Sequence, residues 1–186
     1  MGEAMARFYL EFRRLAPRAR FLVISRNQPT EILRTLSANG LAHELVHRMA
    51  SHDQVPALVR CAQAAVAFIA PLLANRGTSP TKLAETLGCG LPTAATAVGD
   101  VADVLDASPA GIVLTDTSQP TLAAAARAVY EASRAPGIEV EARRLAQRWF
   151  RLDDGVERYA AVYESIASQA RAIADMPWPP PRVTRC

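Results

Sequence analysis

Lysine is almost absent. The sequence of 186 residues holds one, Lys82, and uses arginine for every other basic side chain. Cysteine is scarce: Cys61, Cys89 and Cys186 are odd in number and widely spaced. They fit no zinc or disulfide spacing, which makes a reducing cytoplasm the default. No apolar run approaches the roughly 18 residues a membrane span needs. The opening "MGEAMARFYLEFRR" carries acids early and no apolar h-region, which argues against a secretory signal. Aromatics are few, and the arginines are spread along the chain rather than clustered with them as a nucleic-acid surface would need. No nucleic-acid partner is expected. The net charge of +3 leaves nucleotide phosphates, or peripheral contact with an anionic membrane face, open. Neither G-x-x-x-x-G-K-[ST] nor G-x-G-x-x-G occurs. There is no internal repeat and no interior linker.

Half the residues are hydrophobic, enough for a real core. Met5, Phe8, Tyr9, Phe12 and Leu15 recur at helical spacing and predict a helix from about Ala4 to Leu15, ended by Pro17. "ARFLVIS", "AHELVHR", "AAVAFIA", "PTAATAV" and "AGIVLTD" read as strands. Between them lie helices in "TEILRTLSANG", in "SHDQVPALVRC" with Ser51 or Asp53 as N-cap, from Pro80 to about Gly88, and in "DVADVLD". Helices in "PTLAAAARAVYEASR", "EVEARRLAQRWF" and "DGVERYAAVYESIASQARAIA" follow. Alternation predicts an α/β fold: a doubly wound, Rossmann-like parallel sheet of about five strands, helices on both faces, and C-terminal helices. The expected organisation is one domain over 1–174 and a Pro-rich tail over 175–186. The apolar stripes are read as core faces. His43, His47 and His52 are read as structural or surface residues.

The stretch "NRGTSPTKLAETLGCGLPTAATAVGD" (75–100) is the most informative. In doubly wound sheets, ligands bind beyond the carboxyl ends of strands. Here a strand ends near Ala70, a loop crosses, and Ser79 is placed as N-cap with Pro80 at N1. The first free amides then belong to Thr81 and Lys82, where the helix dipole favours a phosphate. Lys82 adds a full charge and the Thr81 hydroxyl a donor. One turn on, Glu85 can accept two hydroxyl hydrogen bonds, as a ribose diol requires. Together they spell a nucleotide diphosphate. The plainer alternative is an ordinary helix start with a solvated Lys82 and Glu85.

The same stretch resembles the donor-binding segment in the C-terminal domain of retaining GT-B glycosyltransferases: a Ser-Pro-x-Lys-Leu-x-Glu helix start, then Gly-Leu-Pro into a strand, then Val-Gly-Asp. "HDQVPALVRCAQAAVAFI", "GIVLTD" and "RRLAQRWFRLDDGVERYAAVYESI" are similar to the flanking segments, so the likeness runs from roughly Ala4 to Ile166. It implies that Glu85 is the second glutamate of an E-x7-E motif and holds the donor ribose, and that Thr81 and Lys82 approach the diphosphate. Gly77 occupies the position of the first glutamate, so the acid expected against the transferred sugar is missing. Arg26 and Arg48, at strand carboxyl ends, match loosely as phosphate- or base-pocket residues. No catalytic residue is assigned, no metal is implied, and no cofactor beyond the nucleotide-diphosphate sugar that serves as donor substrate.

The resemblance further implies an acceptor-binding N-terminal domain, with no counterpart here, and a first strand at the centre of the sheet. Without that strand, "FLVIS" and "AVAFI" lose their shared neighbour. Three outcomes follow: Met1 is a start placed too late, a partner chain supplies the strand, or the two strands pair directly. The expected function is the donor-binding half of a transferase in cell-surface glycan or polysaccharide synthesis, cytoplasmic or peripheral at the inner membrane face. The alternative is a non-catalytic partner, or a fragment, of a split transferase. A response-regulator-like domain would want an acidic cluster at the first strand end, whereas Asp100 and Asp103 lie on a helix start.

Overall fold

The structure is a computed structural model that describes residues 1–77 and 79–174. The chain divides into two compact units, Met1–Trp149 and Phe150–Cys186. The Pro-rich tail expected over 175–186 lies outside the described residues.

The first unit opens with helix α1 (Gly2–Leu15) and winds through β1 (Phe21–Ile24), α2 (Thr30–Ala38), β2 (Leu45–Arg48), α3 (Val55–Val59), β3 (Ala65–Ala67), α4 (Thr81–Gly88), β4 (Thr93–Thr96), α5 (Val101–Leu105) and β5 (Gly111–Leu114). Helices α6 (Gln119–Ala132) and α7 (Ile138–Phe150) follow. Every pairing is parallel. A helix or helical turn separates each strand from the next, as parallel neighbours require.

The five strands do not form one sheet. β1 and β2 make a two-stranded sheet, and β3-β4-β5 make a three-stranded one. This corrects the single sheet expected from the alternation, and the direct pairing of "FLVIS" with "AVAFI" does not occur. Both strands approach the same helix instead. Tyr9 of α1 stacks on Phe21 of β1 at 5.1 Å between ring centroids, and Phe8 meets Phe68, just past β3, edge-on at 5.6 Å. α1 therefore lies across both sheets, and among the described residues neither β1 nor β3 has a second strand partner. Their burial agrees. All four residues of β1 are half-buried, whereas all four of β4 are buried.

α1 belongs to two hydrophobic clusters. Ala4 and Phe8 join Phe68, Ala94, Leu114 and residues of α6 over the three-stranded sheet. Ala6 and Tyr9 join Ile32 and Leu36 of α2 over the two-stranded sheet. Side chains alternate across a strand. In register, Val66, Ala94 and Ile112 turn toward α1 and α6, while Thr93 turns toward Thr86 of α4. The three-stranded sheet thus carries helices on both faces.

Helix ends follow local chemistry. α4 stops in the stretch Gly-Cys-Gly-Leu-Pro because Gly90 takes φ +88°. The Gly90 amide then donates to Leu87 and the Leu91 amide to Thr86, a Schellman closure. α3 begins slightly later than read from sequence: its N-cap is Gln54, next to Asp53 and beyond Ser51.

In the second unit, α8 spans Leu152–Ala174. Leu152, Val156, Tyr159, Tyr163 and Ile166 are exposed, which corrects the reading of this stripe as a core face. Among the described residues no helix is long and apolar enough to cross a membrane.

Candidate functional site at the start of α4

The approach to α4 is built from the carboxyl end of β3. Here a side chain replaces the sheet ladder. Thr96 Oγ1, at the end of β4, accepts from the Ile69 amide at 2.8 Å and donates to the Ile69 carbonyl at 2.8 Å. That clamp satisfies both backbone groups of the residue where the chain leaves the sheet, groups that are costly to bury unpaired. Beyond it, the Asn75 side-chain amide donates back to the Ala70 carbonyl at 2.9 Å and folds the loop onto its own start. Leu72 and Leu73 stand out of this loop, 60 % and 80 % exposed.

α4 is held from beneath. Leu83 and Leu87, one turn apart, are fully buried. Thr86 Oγ1 donates to the Lys82 carbonyl at 2.9 Å, and Thr93 of β4 donates to Thr86 at 3.0 Å. The opposite face, with Thr81, Lys82 and Glu85, is exposed. The Lys82 ammonium and the Glu85 carboxylate make no hydrogen bond or ion pair with any described residue, although both backbone carbonyls accept within the helix. The first-turn amides of Thr81 and Lys82 have no partner within the helix.

The cap differs from the sequence reading. Pro80 is the N-cap residue in extended conformation, α4 starts at Thr81, and no side chain caps it. Ser79 is therefore displaced by one position and is exposed. The reason is local: proline already supplies an extended φ and has no N–H to satisfy. Gly77 is exposed, and a Cβ built there would meet nothing within 4 Å. The position that lacks an acid has room for one.

Arg26 and Arg48 do lie at strand carboxyl ends, as read. Arg48 closes β2 in register with Ile24, its side chain donating to the His47 carbonyl at 3.0 Å. His47 Nε2 lies 2.9 Å from the Ser25 carbonyl oxygen, which makes it the protonated nitrogen. Both arginines are exposed and belong to the two-stranded sheet. No hydrogen bond or ion pair joins either to Ser79–Glu85. Among the described residues no group of three or more His, Cys, Asp or Glu side chains could hold a metal ion.

Two groupings escaped the sequence reading. Thr96 is one; its only signal was a hydroxyl at the end of an apolar strand. The other is a buried carboxylate at the opposite, amino end of β2. Glu44 accepts from Tyr9 at 2.7 Å and from Arg13 Nε at 2.8 and 2.7 Å. Burial opposes its charge, but the bonds from Tyr9 and Arg13 prevail and hold its pKa below the usual carboxylate value. Burial likewise pushes the Tyr9 phenol upward, helped by its bond to Glu44. This cluster fixes α1 to the start of β2 and lies away from the strand ends where a ligand would sit.

No curated protein matches the chain. The profile of the family described as glycosyl transferases group 1 matches residues 3–132, from α1 to the end of α6. All five strands, the loop from Ala70 and the exposed turn of α4 fall inside that match, and the chain belongs to the glycosyl transferases group 1 family.

Proposed function

We propose that the chain binds a nucleotide-diphosphate sugar at the start of α4, as the donor half of a glycosyltransferase. The observation that carries this reading is the pairing of a free ammonium, Lys82, and a free carboxylate, Glu85, on the exposed turn of a helix whose buried side is firmly packed. The amides of Thr81 and Lys82 and the Lys82 ammonium face the diphosphate. Glu85 accepts the ribose hydroxyls, while Ser79 and Gly77 flank the entrance. When the sugar leaves, charge grows on the diphosphate, and donors already aimed at it lower the barrier. Arg26 and Arg48 extend the positive edge along the neighbouring strand ends.

Thermal denaturation against UDP, GDP, ADP and their sugars tests this. A ligand at a hundredfold excess over its Kd adds about 2.7 kcal/mol. One nucleotide should raise the Tm. Each charged contact is worth about 1.5–3 kcal/mol, so Lys82→Ala and Glu85→Ala should each abolish most of the shift. A melt that no nucleotide moves would sink the proposal.

A second reading is favoured by two observations: the interrupted sheet and the exposed Leu72–Leu73 pair on the site loop. In it, this chain works only with an acceptor-binding half, preceding it or on a partner chain, which supplies the missing inner strand and covers that pair. Nucleotide binding without sugar transfer by the purified chain supports this reading. Turnover by the chain alone would remove it.

A further inference from the structure

Cys61 and Cys89 are far apart in the sequence, yet the fold brings both to one short helix. Cys61 follows the end of α3 and is exposed. Its Sγ lies 3.4 Å from the Ala57 carbonyl oxygen. Cys89 caps the far end of α4 and is half-buried. Its Sγ lies 4.0 Å from the Pro56 carbonyl oxygen. Pro56 and Ala57 are consecutive, and helical carbonyls point together toward the helix C-terminus. The two sulfurs therefore converge on one turn, from two different crossovers. Neither is part of the donor site.

We infer that Cys61 and Cys89 form a reversible disulfide that staples the end of α3 to the end of α4. The geometry sets the order of events. A low-molecular-weight disulfide such as oxidised glutathione meets the exposed sulfur first. The Cys61 thiolate attacks one sulfur of the oxidant, whose S–S bond breaks and releases one glutathione thiolate. The Cys89 thiolate then attacks the Cys61 sulfur of the mixed disulfide and releases the second glutathione. The two protons lost by the cysteines end on the two glutathione thiols. The oxidant is reduced by two electrons and the protein is oxidised by two. An exposed attacking thiol beside a sheltered resolving one is the arrangement a redox-responsive pair needs. The closed loop holds β3, the site loop and α4, so the staple fixes the rear of the helix whose front turn carries Lys82 and Glu85.

The test uses the full chain with Cys186→Ser, which leaves two thiols. The folded protein is exposed to oxidised glutathione, digested with trypsin and read by mass spectrometry without reduction. The expected product joins the peptide that begins at Cys61 and ends at Arg76 to the one that begins at Leu83 and ends at Arg127. Its mass is two hydrogens below the sum, and dithiothreitol reverses it. The oxidised chain should melt about 5–10 °C higher. With Cys61→Ser added, the linked peptide and the shift should vanish. Separate glutathione adducts on each cysteine, an unreacted Cys89, or a link formed only after the chain is unfolded in guanidinium would each overturn the inference.

Discussion

Glu44 shows how a single residue can take over a stability term that its sequence neighbourhood hides. Its side chain is 6 % exposed, and a carboxylate so buried survives only when its lone pairs are filled. Tyr9 and Arg13, both on α1, fill them. The folded pKa lies below the unfolded value. The contribution is thus complete above the ordinary carboxylate range and is lost as pH falls through the folded pKa. The stabilities of the native chain and of Glu44→Gln should therefore differ at neutral pH and draw together as the pH falls below the ordinary carboxylate range and through the lowered folded pKa. Equal slopes of stability against pH would show that Glu44 is not the titrating group. Nothing in "AHELVHR" reveals this role, because Glu44 sits in an alternating strand-like run and its partners lie far back in the chain. Lys82 was legible for the opposite reason: its isolation is visible in composition, and its place on a helix start follows from the proline before it.

The helices and strands themselves were legible because each carries its own punctuation. Pro17, Gly40 and the glycines around Cys89 mark ends, and apolar spacing marks what lies between. The error at Ser79 is of the same local kind. Two candidate caps stand side by side, and the proline takes the position. What no element could announce is pairing. Whether "FLVIS" hydrogen-bonds to "AVAFI" depends on which segments meet in space, and α1 decides it. Phe8 is the side chain that ties α1 to the three-stranded sheet, where it is 5 % exposed between Phe12 and Phe68. Phe8→Ala should cost about 3–5 kcal/mol, the range for emptying a buried aromatic site. Urea unfolding measures it. A loss under about 1 kcal/mol would mean that α1 is not anchored there.

At the scale of the molecule, the alternation of strands and helices gave the α/β class with parallel strands, and the family match covers the segment that sequence alone marked as informative. The candidate site was legible where it is contiguous, from Gly77 to Glu85. It was less so where it depends on distant strands. Arg26 and Arg48 are at the expected ends, but in the other sheet. Cys61 and Cys89 looked unrelated because only the fold, which sets the Cys89 sulfur against the Pro56 carbonyl of α3, relates them.

The double allegiance of α1 has a dynamic meaning. A molecule with two separate sheets would ordinarily be free to lose one and keep the other. Here the two hydrophobic clusters that α1 joins share a single wall, and no opening that frees that wall can spare either side. Native-state hydrogen exchange should report this. Amides in β2 and β5, strands of different sheets, should exchange with the same opening free energy, and Phe8→Ala should lower both by the same amount although Phe8 packs in only one of the cores. One helix then sets the common clock by which two structurally unconnected sheets breathe.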